Sequence, residues 1–128
     1  MKLLLPLLAL SMAQCAMAEN VPAQILDCAF VQECDAASAT CTTGSQPQLS
    51  FSLVMSDDGE TARYENNTAN PPMQISFTND GVLVAFDPSG PTMTSVGANG
   101  IAVHSSNLIV LAHNIRAAQW TGTCHPRG

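Results

Sequence analysis

Three histidines, four late cysteines, two adjacent serines and a pair of neighbouring aspartates are the residues here whose types could do chemistry. A metal site needs converging ligands, announced in sequence by H-x-H, H-x-x-x-H or H-E-x-x-H. His104, His113 and His125 stand at none of these spacings, so they read as separate surface or half-buried imidazoles. Met55, Met73 and Met93 fit the apolar phase of strands and are expected in a core rather than on copper. Ser105 or Ser106 with a histidine and an acid would make a hydrolase triad, but the G-x-S-x-G elbow that exposes such a serine is absent. Asp57-Asp58 precedes Gly59, where aspartate is favoured for local hydrogen bonding, so the pair reads as a solvated turn. Asn66-Asn67-Thr68 matches a glycosylation sequon and is read as loop polarity.

The elements that must position these residues start after a leader. Lys2, the apolar run Leu3–Ala13 and the small residues of Ala16-Met17-Ala18 form a signal-peptide pattern, with cleavage expected between Ala18 and Glu19. That assigns 1–18 to the leader and 19–128 to one domain, placed in the periplasm or secreted. The run is far shorter than the roughly 20 residues a membrane span requires. Lipid attachment at Cys15 is disfavoured because Gln14 stands where a lipobox has a small residue. Removal of the leader takes away the only lysine, leaving Arg63, Arg116 and Arg127 against ten acidic residues, a side-chain balance of −7. Such a chain has no basic patch for phosphates, so no nucleic-acid partner is expected. Without lysine there is neither Schiff-base chemistry nor a P-loop.

Almost every later segment alternates with period two between turn residues. Leu26, Cys28 and Phe30 share one face of a first strand. Gln48–Leu53, Glu60–Glu65, Met73–Thr78, Val82–Phe86 and Thr92–Val96 read as further strands, and Asn66–Pro72 as a loop. Ile101–Leu111 ends in an apolar run that fits a buried strand or a short helix, and Ala117–Cys124 carries Ala118, Trp120, Gly122 and Cys124 on one face. The fold class is therefore all-β: a small antiparallel meander of seven or eight strands closing into a barrel or sandwich. Cys28, Cys34, Cys41 and Cys124 are an even set in an exported chain, which reads as two disulfides, because zinc would want closer pairs. Three connectivities are open. The placement of Cys28 and Cys124 on the core face of the terminal strands ranks Cys28–Cys124 with Cys34–Cys41 first.

Two resemblances follow from these residues. Cys28-x5-Cys34, Glu33-Cys34-Asp35 leading to Cys41-Thr42, Ala102-Val103-His104-Ser105 and Gln119-Trp120-Thr121-Gly122-Thr123-Cys124 resemble a group of small exported proteobacterial proteins of uncharacterised activity. More distantly, the chain is similar to the periplasmic inhibitors of C-type lysozyme, which are small antiparallel barrels with a bridge joining the chain ends. Their Ser-Gly-x-x-Tyr loop is matched only by Ser89-Gly90-Pro91-Thr92-Met93, which lacks the aromatic residue, so no inhibitory residue carries over.

These readings lead to a non-enzymatic exported binding module for an unidentified protein or small ligand. Its sharper form is an inhibitor of a cationic cell-wall-lytic enzyme, consistent with a basic protein partner. The alternative is a small periplasmic metal-binding protein or hydrolase using His104. No catalytic residue, metal or cofactor is assigned. Trp120, Tyr64 and His104 are the candidate binding residues. Trp120 and Tyr64, the sole tryptophan and tyrosine, also fit the inward phase of strands.

Overall fold

The computed structural model describes residues 24–35, 38–66, 72–110 and 114–128, and for 107–110 and 114–116 the backbone alone. The expected leader with its expected Ala18/Glu19 junction, Cys15, His113 and the Asn67-Thr68 part of the sequon lie outside the described residues. Nine strands form one antiparallel sheet: β1 (Ile25–Asp35), β2 (Thr40–Thr43), β3 (Leu49–Met55), β4 (Thr61–Tyr64), β5 (Met73–Phe77), β6 (Leu83–Phe86), β7 (Thr92–Val96), β8 (Ile101–Val110) and β9 (Asn114–Pro126). β3 to β9 run as a meander, and β1 pairs with both β3 and β9, which closes eight strands into a barrel with β2 as an extra strand. Closure removes the sheet edges that an open meander would expose.

Both disulfides take the favoured pairing. Cys28 stands directly opposite Cys124 across the β1–β9 seam, and Cys34 opposite Cys41 across β1–β2. The Cys34–Cys41 bridge thus staples an antiparallel strand pair, whose second strand sequence alternation did not announce. The seam bulges at Val31, between Phe30 and Gln32. At that point the other edge of β1 changes partner from β3 to β2. Gln48 closes the gap: its backbone N–H donates to the Phe30 carbonyl at 2.8 Å and its side-chain amide to the Thr42 carbonyl at 3.2 Å.

An eight-stranded barrel is just wide enough for its inward side chains to fill it. Phe30 and Leu53 take the bulk and are almost wholly buried, while Ala62, Ala85 and Ala102 leave room for them from β4, β6 and β8. Leu26, Cys28, Met55, Met73, Leu83, Val96 and Cys124 complete the core. The inward phase of each strand matches the sequence alternation, with two corrections. Met93, expected in the core, is 45% exposed, because β7 turns Thr94 and Val96 inward and a period of two leaves the methionine outside. Phe77 shares the phase of Met73 and Ile75 yet is 63% exposed, because β5 carries it to the barrel rim.

Three hairpin turns ring one end of the barrel. In each, a glycine amide (Gly59, Gly81 or Gly100) donates back to a carbonyl three residues earlier, and each glycine has φ between 72° and 83°. That left-handed conformation is strained for side-chain-bearing residues, which explains the repeated Asp-Gly and Asn-Gly endings. Asp57-Asp58 lies in the first turn, as the sequence indicates, with Asp58 accepting from the Ser56 hydroxyl and the Glu60 amide. The ambiguous Ile101–Leu111 segment is strand through Val110.

After β9, Arg127 fastens the chain end to the barrel wall. Its guanidinium donates to both carboxylate oxygens of Asp27 and both of Glu65, with the closest contact 2.7 Å, and its Nη2 also donates to the Ser52 hydroxyl at 3.2 Å. Hydrogen bonds from Arg127 and Ser52 bring the Asp27 carboxyl down to about 2. Both contacts are ion pairs, Arg127 with Asp27 and with Glu65.

Candidate functional site

The three candidate binding residues come from β4, β8 and β9, and barrel closure brings them into one cluster. His104 is the hub: its ring centroid lies 5.0 Å from Phe51, 5.6 Å from Trp120 and 6.0 Å from Phe30. Tyr64 joins through Phe51, edge-on at 5.0 Å. These separations fall in the range of favourable tilted and edge-to-face aromatic contacts. The register explains the assembly, since Trp120 is directly opposite His104, which is directly opposite Thr94.

His104 is 6% exposed and Thr94 is fully buried, so each needs the other as a polar partner. They meet with Thr94 Oγ1 and His104 Nδ1 2.8 Å apart. Burial pushes the His104 imidazole below its ordinary pKa, because the apolar rings around it disfavour the charged form. Burial also raises the Tyr64 phenol, against the opposing effect of the Thr92 and Thr94 hydroxyls. Ser105, the neighbour of His104, points to the opposite side of β8 and accepts from the Gln119 amide at 3.4 Å. His125 is exposed near the end of β9. Among the described residues no three His, Cys, Asp or Glu side chains converge to hold a metal ion.

A neutral buried histidine makes stability depend on pH with a definite sign. Between the lowered folded value and the ordinary value of about 6.5, the unfolded chain binds a proton that the folded chain refuses. His104 therefore makes stability rise with pH through that window, reaching its full value above it and falling on acidification. Urea midpoints at pH 5, 6 and 7 should show this slope, and His104→Gln, which retains a hydrogen-bonding group for Thr94, should flatten it. An unchanged slope in the variant would show that His104 is not the titrating group.

Two surface hollows lie away from this cluster. One, of about 480 Å³, is bordered by the Cys34–Cys41 bridge, Ala118, Ser105 and Gln119. The other, of about 390 Å³, opens at the turn-ringed end, where Leu26, Met55, Leu83 and Val96 form its floor, and Phe77, Asp57 and Asp58 also line it. Alternation alone gives Phe77 the inward phase of its strand and no exposed role. The available signal was its position as the last apolar residue of an alternating strand, immediately before Thr78-Asn79-Asp80-Gly81. Comparison of the chain with protein-family models, curated proteins and solved structures gave no match.

Proposed function

We propose that the protein is exported, is cleaved between Ala18 and Glu19, and acts in the periplasm or outside the cell as a non-enzymatic binding module for a cationic protein. In its sharper form the partner is a basic cell-wall-lytic enzyme, which the module inhibits. The observation that carries this reading is the disposition of charge. The described residues hold nine carboxylates against three arginines, Arg63, Arg116 and an Arg127 already committed to Asp27 and Glu65. A surface of one sign steers a partner of the other and sets its approach.

Further support comes from the leader pattern and from two disulfides of the kind kept in oxidising compartments. The barrel interior is packed with its own side chains, which favours recognition on the outer surface over a ligand in the lumen. Resemblance to the lysozyme inhibitors adds an architecture and a bridge between chain ends. The test is a titration of the mature protein into a C-type lysozyme at low and moderate salt. Lytic activity should fall at micromolar excess, and the effect should weaken as salt screens the charges. Full activity at every excess and both salts would discard the inhibitor reading.

A further inference from the structure

The two ends of the barrel differ in what they offer a partner. At the end holding Trp120 and Tyr64, the aromatic rings pack on one another. At the turn-ringed end, Phe77 is mostly exposed beside a hollow floored by Leu26, Met55, Leu83 and Val96. Asp57 and Asp58 line the same hollow, and Asp80 stands in the turn that contributes Gly81 to it. Among the described residues none of these three aspartates has an ion-pair partner. The Ser56 hydroxyl and the Glu60 amide anchor the Asp58 carboxylate in place.

An apolar floor, one exposed aromatic ring and fixed carboxylates at the rim match a long cationic side chain. Its methylene stem can lie on apolar surface while its head reaches the acids, and the ring face adds a cation–π attraction. We infer that the turn-ringed mouth is the docking surface for a protein partner, which inserts a lysine or arginine side chain flanked by apolar residues. This rests on the proposed cationic partner and deepens it by naming the face that meets it. A second copy of the chain suits the mouth poorly: it would bring the same aspartates, and like charges facing each other across an interface are repulsive.

The test uses the mature protein labelled with nitrogen-15 and a short amidated peptide of alternating leucine and arginine, with leucine and glutamate as the control. The arginine peptide should shift the amides of Gly59, Gly81, Leu83 and Gly97, and the control should not. Phe77→Ala and, separately, Asp57→Lys should each weaken the peptide by about tenfold, as expected for loss of a central anchor or a charge pair. Shifts centred on Trp120 or on the Cys34–Cys41 hollow, or full affinity in both variants, would overturn the inference. So would a concentration-dependent dimer abolished by Phe77→Ala, which would assign the mouth to a second copy. Peptide binding at the mouth without inhibition of a lytic enzyme would support the site while removing the inhibitor reading. Inhibition undiminished in both variants would overturn the site while sparing that reading.

Discussion

Replacing Cys28 and Cys124 together by alanine is expected to destabilise the protein by about 4–5 kcal/mol, the loop-closure effect of a bridge spanning 96 positions. The bridge joins the first and last strands at the seam where the barrel closes, so its removal frees nearly the whole chain in the unfolded state. Cys28 and Cys124 are also buried core residues, and truncating them leaves a small void in the core. The same double replacement at Cys34 and Cys41 should cost only about 2–3 kcal/mol, because that bridge spans 7 positions and staples an exposed hairpin. Urea denaturation of both double variants measures the difference. Equal losses, or a larger loss at Cys34–Cys41, would contradict the assignment of Cys28–Cys124 as the clasp of the barrel.

A comparable effect is expected from a single methyl group. Gly122 lies opposite Phe30 on the seam, immediately before the Val31 bulge. A Cβ there would run into the Ala29 carbonyl oxygen and lie 2.6 Å from the Phe30 Cα, both backbone atoms of β1 that cannot turn aside as a side chain would. Gly122→Ala must therefore push β1 and β9 apart beside the bulge in their ladder. A loss of about 3 kcal/mol is expected, the upper end of overpacking costs. Denaturation midpoints measure the loss, and hydrogen exchange locates it: the amides of β1 and β9 should lose protection first. A variant as stable as the parent would mean that the seam is looser than its geometry indicates. By contrast, a Cβ at Gly59 or Gly81 meets nothing within 4 Å, so substitutions there should carry only the strain of a positive φ.

Much of this architecture was legible in the sequence because a closed barrel with one buried face writes itself as alternation. Leu53 and Met55, Ala62 and Tyr64, and Leu83 and Ala85 all turn inward as their period requires. The terminal cysteines were informative for the same reason, since their inward phase on the first and last strands anticipates the seam. Alternation says nothing about where a strand leaves the barrel. Phe77 obeys the pattern and still emerges at the rim, and Met93 belongs to a strand where threonine rather than methionine takes the inside. Thr94 could turn inward only because His104 stands opposite it, a pairing that depends on register between strands and not on either segment alone. The β2 strand was equally hidden, being four exposed residues held by a bridge and a ladder rather than by apolar burial.

The candidate site was less legible than the fold. Trp120, Tyr64 and His104 each carry a chemical signal along the chain, but the barrel packs Trp120 directly on His104 and joins Tyr64 to them through Phe51, a residue with no chemical signal of its own. The turn-ringed mouth depends on three hairpins meeting at one end. Its acids read as solvated turns along the chain and become a shared feature only after closure.

We propose that the acidic outer surface of this barrel recognises a cationic protein. Calorimetric titration of the mature protein with a C-type lysozyme at about 50 mM and about 300 mM salt tests it most directly, since these span a substantial change in screening length. Saturable one-to-one binding is expected at the lower salt, weakening markedly at the higher. An absence of binding at both, or an affinity indifferent to salt, would contradict it.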